Sequence, residues 1–444
     1  MAVDLAEPGG GAIPASLSAR KTGLVIFYVA VLVFITESSF RTRQFAVSVT
    51  LDWQVALQLA VWGFAGIFGI LLGAIGSANL RRPIGFGFAL FLLLMIFSGL
   101  YAPPAVRLGA FASAIGYVTF YAFALGVARH LTERQAWLGV ALGLAADVLS
   151  APFLFVAHLE PGGDLQESTD QGRMHGFLSH SGELGTDAAL LCIFALLIAT
   201  RSERKGRWYA LAAVSFVIII LSTGKTGLAA LFVSGGIIWW RRNLVLRALT
   251  PVWAAAGLFF GFLMATVGLQ NLIPNGVLEL VSRSGHASDA LTMTGRTKIW
   301  SFAFDRWLDR PFMGWGWNSG RFIIFGFFQG WTILQFHSMY LNCLVYLGAV
   351  GLLVFLVVLL YRLVPFFSNP DFTWDWLYLF ILVEGLAEQG ALSDKPTVHS
   401  FVFMLCLLSF AHRSPPVVRP SKPKVSALQR RPVRRLATAR NLGD

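Results

Sequence analysis

Charge is what this sequence has least of. Only 13% of its 444 residues are Asp, Glu, Lys or Arg, against 56% hydrophobic and a mean hydropathy of +0.66. A soluble domain carries about a quarter charged residues, so this chain lacks the polar surface to cover itself in water. Cysteine is scarce too. Cys192, Cys343 and Cys406 fall in or beside apolar runs with no paired spacing, which indicates neither a disulfide framework nor a zinc site. A P-loop, a dinucleotide fingerprint, a His-Glu-x-x-His helix and a Gly-x-Ser-x-Gly elbow are absent. The short basic loops leave no room for a nucleotide-handling domain, so any chemistry is expected to run without ATP, NAD or another cofactor, on a substrate delivered already activated. No internal repeat is visible, which counts against a transporter. The opening residues lack the order of a signal peptide and read as a polar cytoplasmic tail, 1–22.

What is there instead is apolar runs. A spanning helix needs about 20 apolar residues, and candidates lie near 23–40, 55–76, 84–101, 108–128, 136–157, 186–200, 208–223, 226–240, 246–268, 337–361, 374–392 and 397–412. Their length favours helices over barrel strands, which would alternate over about ten residues. The expected fold is therefore an all-α integral membrane protein of about 12 transmembrane helices. Nine lie in 23–270 and three in 337–412, with one long extracytoplasmic loop, 271–336, between the two groups. Most of the 35 basic residues fall on the side of the two termini, which orients both termini inside. The tail 413–444 is Pro-rich and basic, with Arg430-Arg431 and Arg434-Arg435. It reads as a solvated segment against an anionic inner leaflet rather than as a nucleic-acid site.

Four polar groupings fall on the opposite side. Arg173, His175, His180 and Glu183 crowd the loop before 186–200. The two histidines have metal-like spacing but no third ligand nearby, so no metal is expected. Ser222-Thr223-Gly224-Lys225-Thr226-Gly227 is a small polar hinge whose lysine either snorkels or, with open backbone N–H groups, faces an anion. In the long loop, Thr297 to about Asp309 alternates Ile299, Trp300, Phe302, Ala303, Phe304, Trp307 and Leu308 with charges. That is an amphipathic helix lying in the interface, with Arg296 at its start and Thr294 as a candidate cap. His286 lies upstream. Pro311 ends this helix, and Trp315 in Gly314-Trp315-Gly316 either stacks on a sugar or sits in the interfacial belt. Last comes His337, followed by Ser338 and Tyr340, read as a general base or as an interfacial residue.

Arginine and lysine beside a histidine, without a glycosidase-like carboxylate pair, suit displacement of a diphosphate by a hydroxyl. The order Gly295-Arg296-x-x-x-Trp300, Pro311-x-x-Gly314-x-Gly316, His337-x-x-Tyr340-Leu341 and Gly348-Ala349-Val350-Gly351 resembles the O-antigen ligase and Wzy-type polymerase superfamily. Phe177-x-x-His180-x-x-x-Leu184-Gly185 and Ser222-x-x-Lys225-Thr226 look closest to exopolysaccharide polymerases of the ExoQ type. Ser338 stands where family members often carry Asn, and Ser181-Gly182 where they carry Lys-Asn.

The resemblance implies a metal-independent, inverting glycosyltransferase acting on undecaprenyl-diphosphate-linked glycan at the periplasmic face of a bacterial inner membrane. It implies that Arg296, Lys225 and Arg173 contact the diphosphate and that His337 acts with Arg296 in catalysis. His175, His180, Trp300, Trp315 and Tyr340 would line the cavity. Lys225, where many ligases carry Arg, tilts the expectation to a polymerase of surface polysaccharide, with membrane lipid, a chain-length regulator and a flippase as partners and no nucleic acid. A ligase onto lipid A core or protein is the alternative. A transporter of lipid-linked glycan is the rival from another class, for which Asp147 and the pair Glu384 and Glu388, one turn apart on 374–392, would be the working charges.

Overall fold

The computed structural model describes residues 19–38, 53–160, 173–178, 180–251, 296–327, 335–368 and 372–410. Among them there is no strand. The helices are α1 (Ala19–Glu37), α2 (Trp53–Leu71), α3 (Ala78–Arg81), α4 (Pro83–Ser98), α5 (Pro104–His130), α6 (Glu133–Val156), α7 (Ser181–Arg201), α8 (Lys205–Leu221), α9 (Lys225–Arg242), α10 (Leu244–Ala248), α11 (Arg296–Asp309), α12 (Gly320–Phe327), α13 (Met339–Ser368), α14 (Phe372–Glu384) and α15 (Val398–Leu407). Six of them, α1, α2, α5, α6, α7 and α13, are long and apolar enough to cross a membrane. The apolar runs read from the sequence overlap helices, except that 246–268 lies almost wholly outside the described residues, as do His286 and Thr294. The chain is a multi-pass membrane protein.

Local sequence sets where helices begin. Pro83 and Pro104 open α4 and α5, where a missing N–H costs nothing. Thr132 with Gln135, and Thr397 with Ser400, form capping boxes at the starts of α6 and α15. Helix pairs α1 with α6, α2 with α5, α7 with α8 and α9, α9 with α14, and α4 with α13 pack together. Small residues allow the closest approaches: a Cβ on Gly69 would sit 2.5 Å from the Ala122 carbonyl carbon. One continuous core runs through Tyr117, Phe120, Phe123, Trp137, Phe355 and Phe401. The outside is apolar as well. Leu108, Phe153 and Phe367 are 80%, 70% and 74% exposed, which suits a surface facing lipid tails.

The two ends of the bundle differ in chemistry. At one end Arg201 donates to Glu133 at 3.2 Å, while Asp375 accepts from Arg241 at 3.1 Å and Arg362 at 3.2 Å. At the other end lie the close of α1 and α14, the openings of α7, α9, α13 and α15, and the start of α11. The candidate site is there.

Helix α13 is broken at Gly348, whose φ is +67°, and the break is filled by the loop that follows α11. The carbonyls of Val345 and Tyr346 accept from the N–H groups of Trp315 and Gly316, both at 2.9 Å. The N–H groups of Ala349 and Val350 donate to the carbonyls of Pro311 and Phe312 at 2.8 and 3.2 Å. These are the donors and acceptors that an unbroken helix would pair across four residues. Residues 311–316 are thus spliced into the helix ladder, which keeps these four backbone groups paired at the break. Gly314 and Gly348 both have positive φ, and a Cβ on Gly348 would lie 2.2 Å from the Phe312 carbonyl oxygen.

Candidate functional site

Glu388 is the hub on which the polar groupings meet. Its Oε1 accepts from Arg296 Nη2 at 2.5 Å and from Thr226 Oγ1 at 3.4 Å. Its Oε2 lies 3.5 Å from His337 Nδ1. Arg296 opens α11, Thr226 is in the first turn of α9, and His337 lies two residues before the start of α13. Glu388 itself sits in the non-helical segment that leaves α14, so three other parts of the chain converge on one carboxylate.

The surrounding structure holds these groups in place. The helix α11 packs on α13, and Trp300 Nε1 donates to the Phe336 carbonyl at 3.0 Å, tying α11 to the residue before His337. His337 has a φ of +47°, an uncommon conformation for a residue with a Cβ. It is imposed from the next residues: Met339 N–H donates to the carbonyls of Gly385 and Glu388 at 2.8 and 3.0 Å, and Ser338 Oγ to Gly385 at 3.4 Å. The loop of Glu388 and the loop of His337 are therefore one unit. Further out, Asp394 accepts from Arg321 at 3.4 Å and Tyr346 at 3.3 Å. Trp317, wholly buried, donates from its indole to Ser113.

Burial pushes the Glu388 carboxyl up. The close approach of His337 and the charges of Arg296, His337 and His180 outweigh that, and hold it at about 2. The group is a carboxylate at any physiological pH, suited to orienting a cation or an imidazole and not to giving up a proton.

Glu388 also lines a cavity of about 460 Å³, including its open mouth. Across it, His399 is clamped between two carboxylates: Nδ1 is 2.7 Å from Glu384 Oε2 and Nε2 is 2.9 Å from Asp187 Oδ1. Glu37, which accepts from the Val398 N–H, lines the same wall. Asp147 does not line it and accepts instead from Ser38 at 2.8 Å.

All four sequence groupings reach the cavity or its hub: Thr226, Arg296 and His337 lie against Glu388, and His180 lines the cavity. His180 caps α7, its Nδ1 accepting from the Glu183 N–H at 3.2 Å, and lines the cavity. Lys225, exposed, is the first residue of α9, next to Thr226. The glycines around it have a packing role: a Cβ on Gly185 would lie 2.4 Å from Gly224 Cα, which joins the start of α7 to the hinge. The expected interfacial helix is observed as α11.

Other expected cavity residues are engaged elsewhere. His175 is buried in a turn, its Nδ1 3.0 Å from the Leu178 carbonyl and its Nε2 3.6 Å from Glu160. Arg173 is partly buried at the start of that segment. Trp315 donates to the Arg306 carbonyl at 2.7 Å beneath the Arg310 guanidinium, and Tyr340 donates to the Leu382 carbonyl at 3.1 Å. None of these, nor Trp300, lines the cavity. Helix α14 ends at Glu384, but the Glu388 N–H still donates to the Glu384 carbonyl at 2.9 Å, so the two stay one turn apart, with Glu388 turned to Arg296 and Glu384 to His399.

Sequence reading missed Asp187 and His399, and singled out Glu388 only as the partner of Glu384 in a transporter reading. A carboxylate and an imidazole inside apolar runs, Asp187 and His399, were the available signal.

Fold and site together define a multi-pass helical membrane protein with a cation, an imidazole and a carboxylate assembled at one end of the bundle, beside a polar cavity. Residues 210–356 match the model of a protein family described as O-antigen ligase. The likeness to the O-antigen ligase and Wzy-type polymerase superfamily is thereby shown over a stretch that contains Lys225, Arg296 and His337. No curated protein matches the chain.

Proposed function

We propose that the chain is a glycosyltransferase that polymerises undecaprenyl-diphosphate-linked oligosaccharide repeats into a surface polysaccharide, without a metal and with inversion. The observation that carries the reading is the meeting of Arg296 and His337, from opposite ends of the long loop, on the Glu388 carboxylate. In the reaction, an acceptor hydroxyl oxygen bonds to the anomeric carbon as the bond from that carbon to the diphosphate oxygen breaks. The bonding pair leaves with the lipid diphosphate, whose charge Arg296 and Lys225 offset. The hydroxyl proton passes to His337. Its Nδ1 faces Glu388, so Nε2 is the nitrogen turned to the acceptor, and the carboxylate orients the ring and stabilises the imidazolium that forms. The basic end of the bundle, around Arg201, Arg241 and Arg362, supports a cytoplasmic assignment for that end and a periplasmic one for the site.

A ligase reading shares this chemistry and differs in the acceptor; the description of the matching family favours it. The deciding experiment is complementation by Arg296→Ala and Arg296→Lys in a strain lacking the protein, with polymer read on a gel and the variants quantified in membranes. The expected outcome is loss of long polymer, accumulation of single lipid-linked repeats and partial rescue by lysine. Accumulation of full-length, unattached polymer identifies the ligase instead. Normal polymer with either variant overturns the mechanism.

A further inference from the structure

Among the described residues, the cavity beside Glu388 is lined by charged and polar side chains and two glycines. Its far wall is anionic, formed by Glu37, Asp187 and Glu384, with His399 held between the last two. Asp187 is 2% exposed, and its Oδ2 is buried with no hydrogen-bond partner among the described residues, while Oδ1 faces His399. A buried carboxylate oxygen with nothing to accept from is costly, and its presence on a cavity wall calls for a donor supplied from the cavity.

The chemistry of that donor is restricted. A phosphate would meet carboxylates of like charge. A metal ion would need ligand atoms aimed at a common centre, whereas both ring nitrogens of His399 are turned to carboxylates. No group of three or more His, Cys, Asp and Glu among the described residues is arranged to hold one. An apolar ligand would bury polar atoms unpaired. A neutral molecule bearing several hydroxyls fits, because each O–H can donate to a carboxylate, while Gln389, Ser393 and Thr397 offer further donors and acceptors.

We propose that this wall is a subsite for a sugar ring of the glycan, whose hydroxyls donate to Asp187 and to the carboxylates flanking His399. This rests on the reading of the protein as a glycosyltransferase, and adds a division of labour. The cationic side at Arg296 takes the diphosphate, and the anionic side takes hydroxyls and rejects phosphate.

The test uses the full chain in lipid nanodiscs, with oligosaccharide repeats released from the strain's own polymer as a diphosphate-free probe. Binding is followed by saturation-transfer NMR, and transfer from lipid-linked donor is followed separately. Asp187→Asn keeps the shape and removes the charge. Its affinity for the free oligosaccharide is expected to fall about tenfold, the size of one hydrogen bond to a charged group, with kcat within about threefold. Glu37→Gln, which retains an acceptor for the Val398 N–H, is expected to act in the same direction and covers the case in which Asp187→Asn does not fold. A raised acceptor KM assigns the ring to the acceptor, and a raised donor KM assigns it to the donor; either supports the subsite. Unchanged oligosaccharide affinity in both variants overturns it. Wild-type protein that binds the oligosaccharide through Asp187 but transfers nothing would overturn the proposed function and leave the subsite standing.

Discussion

Arg296 and Glu388, 92 residues apart in the chain, meet at 2.5 Å between Nη2 and Oε1. With His337 Nδ1 3.5 Å from the other oxygen of the same carboxylate, one acidic side chain orders both a cation and an imidazole. A diphosphate arriving at Arg296 therefore competes with Glu388, and the carboxylate it displaces stays beside His337.

Glu388→Gln separates these roles. The amide no longer competes for Arg296, so the KM for lipid-linked donor is expected to hold or fall. His337 loses its charged partner, worth about 1.5–3 kcal/mol, so kcat is expected to drop about 10- to 100-fold. Steady-state kinetics checks the split; a raised KM with unchanged kcat would contradict it. The same variant has a pH signature. A carboxyl held at about 2 instead of its ordinary 4.5 contributes stability that is complete above about 4.5 and lost as pH falls towards 2. The difference in melting temperature between wild type and Glu388→Gln should be flat from pH 7 to 5 and shrink below.

How much of this was legible depends on the kind of residue. The helices could be read because each apolar run is long, and Arg296 and His337 because charge is rare and theirs stands in the polar loop. The role of Glu388 was hidden because hydropathy runs on through Gly385 and cannot register the turns that end α14 there and aim Glu388 at Arg296. Asp187 and His399 were passed over because a lone polar residue in an apolar run looks the same whether it faces a neighbour or a cavity. Trp315 is the converse case. An aromatic in a Gly-Trp-Gly turn reads as exposed, yet its indole N–H is used by the Arg306 carbonyl and its backbone by the splice into α13.

That splice gives a second prediction. At Gly348 a side chain meets both a positive φ and the Phe312 carbonyl oxygen 2.2 Å away, so Gly348→Ala cannot be accommodated without pulling 311–316 out of the break. Thermal unfolding in detergent is expected to show a loss of several kcal/mol-equivalents of stability or no folded protein at all. Gly236→Ala, where no atom lies within 4 Å of the new Cβ, is the control and should leave the transition in place.

Trp300 connects α11 to the His337 loop through a single indole donor, at 3.0 Å from the Phe336 carbonyl. Trp300→Phe keeps most of the packing and removes that bond, worth about 0.5–1.5 kcal/mol. Transfer is expected to slow about two- to tenfold with little change in melting temperature, since the loss falls on the position of His337. An equal fall in stability and rate would make Trp300 a packing residue only.

The opposite end of the bundle is expected to respond the other way. Asp375 is 2% exposed and lies between Arg241 and Arg362 at 3.1 and 3.2 Å, and Arg362 also donates to the Cys406 carbonyl at 2.7 Å. This group joins α9, α13, α14 and α15 far from Glu388. Removing one member of a buried ion group leaves a partner charge uncompensated, at a cost of about 3–5 kcal/mol. Asp375→Ala, which strands two guanidinium groups at once, is expected to lower the melting temperature more than Arg241→Ala, which leaves Asp375 still paired with Arg362. For whatever folded protein remains, kcat and KM should match wild type. A variant that melts normally but transfers slowly would mean that the two ends are coupled, and that the basic end acts in turnover as well as in holding the bundle together.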